Sequence, residues 1–111
     1  MKIPLIVTIP DPKLLEVTHK VTSFDKEIEG QIQMMRQVLK SHDGAGLAAN
    51  QIGLENQVLI VELEDEKKPI PFQVYINPEI VECSKETDCL DEGCLSVPEI
   101  ELPVERATKI K

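Results

Sequence analysis

Two stretches of the sequence carry residue types that do chemistry. In Glu92-Gly93-Cys94-Leu95-Ser96 a cysteine follows a glycine and stands two residues after a carboxylate. A thiolate is the soft ligand that transition metals prefer, and it is also a nucleophile. Gly93 lacks a Cβ, so the backbone can approach closely or turn tightly just before Cys94. Taken alone, this pentapeptide reads best as a buried, inert thiol, because free cysteine is among the most buried residue types. The second stretch is Gly44-Ala45-Gly46-Leu47-Ala48-Ala49-Asn50-Gln51. Its glycines let a backbone lie against an extended substrate and exchange main-chain hydrogen bonds with it. Ala48 and Ala49 keep side chains out of the way, and the Gln51 amide can donate to a developing oxyanion.

Gly44 to Ala49 also fits G-x-G-x-x-A, the dinucleotide-binding fingerprint, with Glu62 or Glu64 about 20 residues on as the matching acid. The context excludes that use. The fingerprint must follow a strand and open a helix, so that a pyrophosphate sits on the helix N-terminus. Here the run follows an amphipathic helix and enters a strand.

The elements that would position these residues are legible from periodicity. The chain of 111 residues suits one domain, and 41% hydrophobic with 29% charged residues is a globular composition. Leu5 to Ile9 reads as a short extended segment, Pro10-Asp11-Pro12 forces a turn, and Lys13 to Val21 is irregular. Phe24, Ile28, Ile32, Met35 and Leu39 recur at helical spacing, which predicts a helix over 24–39 with Thr22 and Asp25 as a capping box or Ser23 as the cap. Gly30 would mark a close packing contact on it. Ser41-His42-Asp43-Gly44 ends it, with His42 a C-terminal cap or merely exposed. Gln57 to Leu63 and Ile70 to Ile76 read as an antiparallel strand pair joined by the charged loop 64–69. Glu79 to Ser84 extends further, and Val104 to Lys111 begins another extended segment. The fold class is α+β: an N-terminal helix with mostly antiparallel strands, the two chemical stretches carried on a loop and a strand.

Charge and cysteine usage narrow the function classes. A net charge of -8 with scattered basic residues argues against nucleic-acid binding. No apolar run reaches membrane-spanning length. Three cysteines, an odd number with no signal peptide ahead of them, favour reduced thiols in a cytoplasmic setting. Cys83 and Cys89 are read as incidental, and His19 is assigned no role.

Together the two stretches resemble the peptide deformylases, hydrolases that remove the formyl group from the N-terminal methionine of new proteins. The family's first motif stands here as Gly44 to Gln51 and its second, E-G-C-L-S, as Glu92 to Ser96. Ile76-Asn77-Pro78-Glu79 and Pro10-Asp11-Pro12 are also similar to the family. The resemblance implies that Cys94 is a metal ligand, and that Gln51 (through its side chain) and Leu95 (through its backbone N–H) stabilise the oxyanion. It further implies that Gly46 holds the substrate by main-chain bonds, and that Glu92 pairs with Arg106 behind the site. Fe2+ is the usual metal, with Zn2+ or another divalent ion as alternatives. The partner would be a formyl-methionyl nascent peptide.

The family's third motif, H-E-x-x-H, is absent, and His19 and His42 are the two histidines present. The chain therefore resembles the N-terminal portion of the family, a single truncated domain over 1–111 without the C-terminal metal-binding helix. The favoured expectation is a hydrolase inactive alone unless a second chain supplies H-E-x-x-H. The alternatives are a non-catalytic peptide-binding module and a decayed remnant. Acidic Glu99 and Glu101 stand where relatives often carry basic or polar residues. Val104 to Lys111 is expected to lack a strand partner, which would favour marginal stability or self-association.

Overall fold

A computed structural model describes residues 4–42 and 44–111. Asp43, read above in the helix stop, lies outside them. The helix α1 spans Lys26–Ser41. Its cap is Asp25, whose carboxylate accepts from the Ile28 N–H at 3.2 Å, while Ser23 Oγ donates to the other carboxylate oxygen at 3.0 Å. Glu27 and Glu29 in the first turn and Lys40 in the last complement the helix dipole. The capping box with Thr22 does not form, so Phe24 precedes the helix and is 71% exposed rather than part of its apolar stripe. The stripe that turns inward is Ile28, Met35, Val38 and Leu39, with Ile32 packed against it. Gly30 marks no close contact, because a Cβ there would meet nothing within 4 Å. His42 closes α1. Its N–H donates to the Leu39 carbonyl at 3.2 Å, and its Nδ1 lies 2.9 Å from the Val38 carbonyl. A carbonyl can only accept, so Nδ1 carries the proton.

Three strands form one antiparallel sheet in the order β1-β2-β3: β1 Gly46–Ala48, β2 Val58–Leu63 and β3 Ile70–Ile76. The β2–β3 hairpin agrees with the alternation in the sequence. The first chemical stretch is not a plain loop: Gly46 to Ala48 is an edge strand, and Ala49–Ile52 forms a 3-10 helix. The core lies between α1 and this sheet. Met35 and Val38 are fully buried together with Ile60, and Leu47, Ala49 and Val58 complete the layer.

β4 Thr87–Cys94 and β5 Val97–Ala107 make a separate antiparallel ribbon. Thr87 pairs with Ala107 and Gly93 with Glu101, after which the register shifts to Cys94 opposite Val97. The expectation that Val104 to Lys111 lacks a partner is therefore wrong. Val104 pairs with Leu90, Arg106 with Asp88, and Ile110 bridges Cys83. The partner strand was hidden because both of its faces are largely exposed, which removes the alternation that would reveal it. The segment 13–21, read as irregular, takes part in a 3-10 helix over Pro12–Leu15 and a bridge from His19 to Asn56.

The extended segment after Leu5 ties the two chemical stretches together. Val7 donates its N–H to the Gln51 carbonyl at 2.6 Å, and Ile9 donates to the Ser96 carbonyl at 3.0 Å. Among the described residues no helix is long and apolar enough to cross a membrane.

Candidate active site

A cleft of 990 Å³ opens between β1 and the turn joining β4 to β5, and Gly44, Gly46, Gln51, Cys94 and Leu95 all line it. The structure thus brings four of the sequence-derived site residues, Gly46, Gln51, Cys94 and Leu95, to one surface. Cys94 is exposed to this cleft, so the reading of a buried, inert thiol does not hold.

Gln51 is oriented by the backbone. Its Oε1 accepts from the Ala48 N–H at 2.9 Å, capping the 3-10 helix that carries it. An N–H can only donate, so the amide oxygen must lie there, and the NH2 end is forced toward the second stretch. Nε2 donates to Ser96 Oγ at 3.0 Å and lies 3.7 Å from Cys94 Sγ. Ser96, the residue that holds the Gln51 amide, was not singled out from the sequence. The residue is 3% exposed, a burial that depends on the fold and leaves no local sign in the sequence.

Gly46 sits on the open edge of the sheet. Ala45 accepts from the Glu62 N–H at 2.9 Å, and Gly46 stands opposite Val61. Hydrogen-bonded and non-bonded pairs alternate along an antiparallel ladder, so the N–H and C=O of Gly46 point away from β2, toward the cleft. Gly44 serves packing instead. A Cβ there would fall 2.8 Å from Leu95 Cδ1 and 3.2 Å from Leu39 Cδ1, so its absence lets Leu95 settle against α1.

Glu92 and Arg106 meet on the ribbon, outside the cleft lining. The guanidinium makes a two-pronged contact, Nε to Oε2 at 2.8 Å and Nη2 to Oε1 at 2.7 Å. That hydrogen bonding holds the Glu92 carboxyl below its ordinary pKa and raises that of Arg106. A second such pair was not foreseen. Arg36 on α1 grips Glu62 on β2 at 3.0 and 2.7 Å and stacks 4.2 Å from the centre of the Phe72 ring. Glu62 is accordingly a structural acid and not a ribose ligand, and the Arg36 hydrogen bonds lower its pKa.

His42 also lines the cleft, but its Nδ1 is committed to the Val38 carbonyl. Among the described residues no three His, Cys, Asp or Glu side chains gather as a metal-ligand set. Among the described residues the cleft thus offers one soft donor, the Cys94 sulfur, with no metal-ligand set gathered around it.

The sequence model of the polypeptide deformylase family matches residues 3–111. A peptide deformylase from Rhizorhabdus wittichii is 40% identical over 99% of this chain, and the chain spans 65% of that relative's length. Among solved structures, peptide deformylase from Ehrlichia chaffeensis superposes with a TM-score of 0.90 at 31% identity, covering 98% of this chain and 66% of that one. A probable peptide deformylase from Synechococcus phage S-SSM7 gives 0.86 at 34% identity, covering 95% of this chain and 71% of that one. In sequence and in fold, this chain belongs to the polypeptide deformylase family.

Proposed function

We propose that this chain forms the peptide-binding side of a metal-dependent hydrolase site that removes the N-terminal formyl group from formyl-methionyl polypeptides. The observation that carries this reading is the orientation of Gln51. Its amide NH2 is aimed, by a bond from its other end to Ala48, at the exposed sulfur of Cys94 and at Ser96. A donor fixed in advance beside a thiolate suits the oxygen of a carbonyl under attack.

In this reading an extended peptide adds to the open edge of β1 and bonds the outward N–H and C=O of Gly46. Its formyl oxygen lies between Gln51 Nε2 and the backbone N–H of Leu95. Both donors strengthen as that oxygen takes on negative charge. A divalent metal (Fe2+, Zn2+ or a similar ion) held by Cys94 and by ligands from outside residues 1–111 would supply Lewis-acid polarisation of the formyl group. Those ligands would be the histidines of an H-E-x-x-H segment, whether in the same polypeptide or in a second chain, and its glutamate would carry the proton. Glu92 and Arg106 stiffen the ribbon that presents Cys94.

Titration with formyl-Met-Ala-Ser and its unformylated counterpart tests the reading. The formylated peptide is expected to bind at least about tenfold more tightly, and Gln51→Ala to erase most of that difference. Equal binding of the two peptides, or no binding of either, would overturn it. Cobalt(II) gives a separate readout: a thiolate-to-metal absorption band is expected when the H-E-x-x-H segment is present, and it should vanish in Cys94→Ser.

A further inference from the structure

The cleft that holds Gly46, Gln51 and Cys94 has an acidic far wall. Glu99 and Glu101 line it, and among the described residues no lysine or arginine does. Glu101 leans across Gly93: its Cγ comes within 3.6 Å of the point where a Cβ on Gly93 would sit. The carboxylate stem thus crosses the residue immediately before Cys94. Glu99 is held at φ 64, a backbone region unusual for a side-chain-bearing residue. The nearby acid Glu92 is neutralised by Arg106, and Glu62 by Arg36. Glu99 and Glu101 make no ion pair within 4.0 Å among the described residues. Their charge is left to act on whatever enters the cleft, and the net charge of -8 adds a field of the same sign.

We infer that this site prefers formylated peptides carrying a lysine or arginine within the first residues after methionine, with Glu99 and Glu101 as the specificity-determining side chains. The inference rests on the cleft being the formyl-peptide site. The acids select among peptides, while Gly46, Gln51 and Cys94 make the cleft a site. Both carboxylates are exposed, so the effect is moderate and sensitive to salt.

The test uses formyl-Met-Ala-Lys, formyl-Met-Ala-Gln and formyl-Met-Ala-Glu, titrated into the protein at about 20 mM and about 500 mM salt. At low salt the lysine peptide is expected to bind roughly three- to tenfold more tightly than the glutamate peptide, with the glutamine peptide between. High salt should compress the series to within about twofold. Glu99→Gln with Glu101→Gln should compress it at low salt too. Equal affinities at low salt would overturn the charge preference while leaving the formyl-peptide reading intact. Failure of all three peptides to bind would overturn both. A preference that persists in the double variant would place the selectivity elsewhere. Should the double variant not fold, the salt series on the unaltered protein decides alone.

Discussion

Gln51 is fixed from both ends of one amide, and that constraint is what separates a donor from a mobile polar side chain. The Ala48 N–H holds Oε1, and Ser96 Oγ receives one proton of Nε2. The second amide proton faces the Cys94 sulfur in the cleft, 3.7 Å from Nε2. Gln51→Glu keeps the acceptor for Ala48 but replaces the donor with a carboxylate beside Cys94. We expect it to weaken formyl-peptide binding by at least about tenfold, because a donor becomes a repelling acceptor. Ser96→Ala is expected to cost about 1 kcal/mol of stability, read from urea unfolding, and to weaken binding less than Gln51→Glu. If Ser96→Ala weakened binding as much as Gln51→Glu, Ser96 itself, not Gln51, would be the main polar contact to the peptide. Gln51 and Cys94 could be found in the sequence because short runs of neighbouring residues mark them. Ser96 lies in the same pentapeptide, yet its buried hydroxyl is visible only once Gln51 arrives from 45 residues away.

The elements that carry these residues are joined by contacts of two kinds, apolar and ionic. The apolar stripe of α1 was legible because burial on one face imposes a 3.6-residue period. The Arg36–Glu62 clasp between α1 and β2 was not, because charged residues on a helix usually mark its solvent face. Its carboxyl titrates below the ordinary glutamate value in the folded chain, through hydrogen bonds from Arg36. The sign follows from linkage: a carboxyl with a lowered folded-state pKa stabilises the fold above its ordinary value. That contribution is lost as pH falls through the ordinary value toward the lowered one. The urea midpoint should therefore drop on acidification through the glutamate range, and Glu62→Gln should drop less steeply while starting lower at neutral pH. An unchanged slope in Glu62→Gln would assign the acid sensitivity to other carboxylates. Strand β4 escaped sequence reading for a related reason. Leu90 is 66% exposed and its neighbours are polar, so neither period appears.

At the scale of the whole molecule the chain divides its stability unevenly. The packed layer joins α1 to the β1-β2-β3 sheet, and no residue of β4 or β5 belongs to that buried core. The ribbon alternates its two faces. Leu90 and Glu92 share one face with Leu102, Val104 and Arg106, and Leu102 is 60% exposed on it. A two-stranded ribbon is marginal without a packed face. Among the described residues, what ties its turn down is narrow: Leu95 against the core beside Leu39 and Gly44, the bond from Gln51 to the Ser96 hydroxyl, and the bond from Ile9 to the Ser96 carbonyl. Local opening should follow that division. In hydrogen exchange, amides of β2 around the fully buried Ile60 are expected to be the most protected. Those of β4 and β5 should exchange at least about tenfold faster, since they open without breaking the core. Ile9→Pro removes the donor that holds the Ser96 carbonyl, so it should accelerate exchange in the ribbon while leaving β2 unchanged. Ribbon amides as well protected as those of β2 would mean that Cys94 sits on a rigid element. Gln51 and Cys94 would then be locked together by more than the Leu95 packing and the two bonds to Ser96.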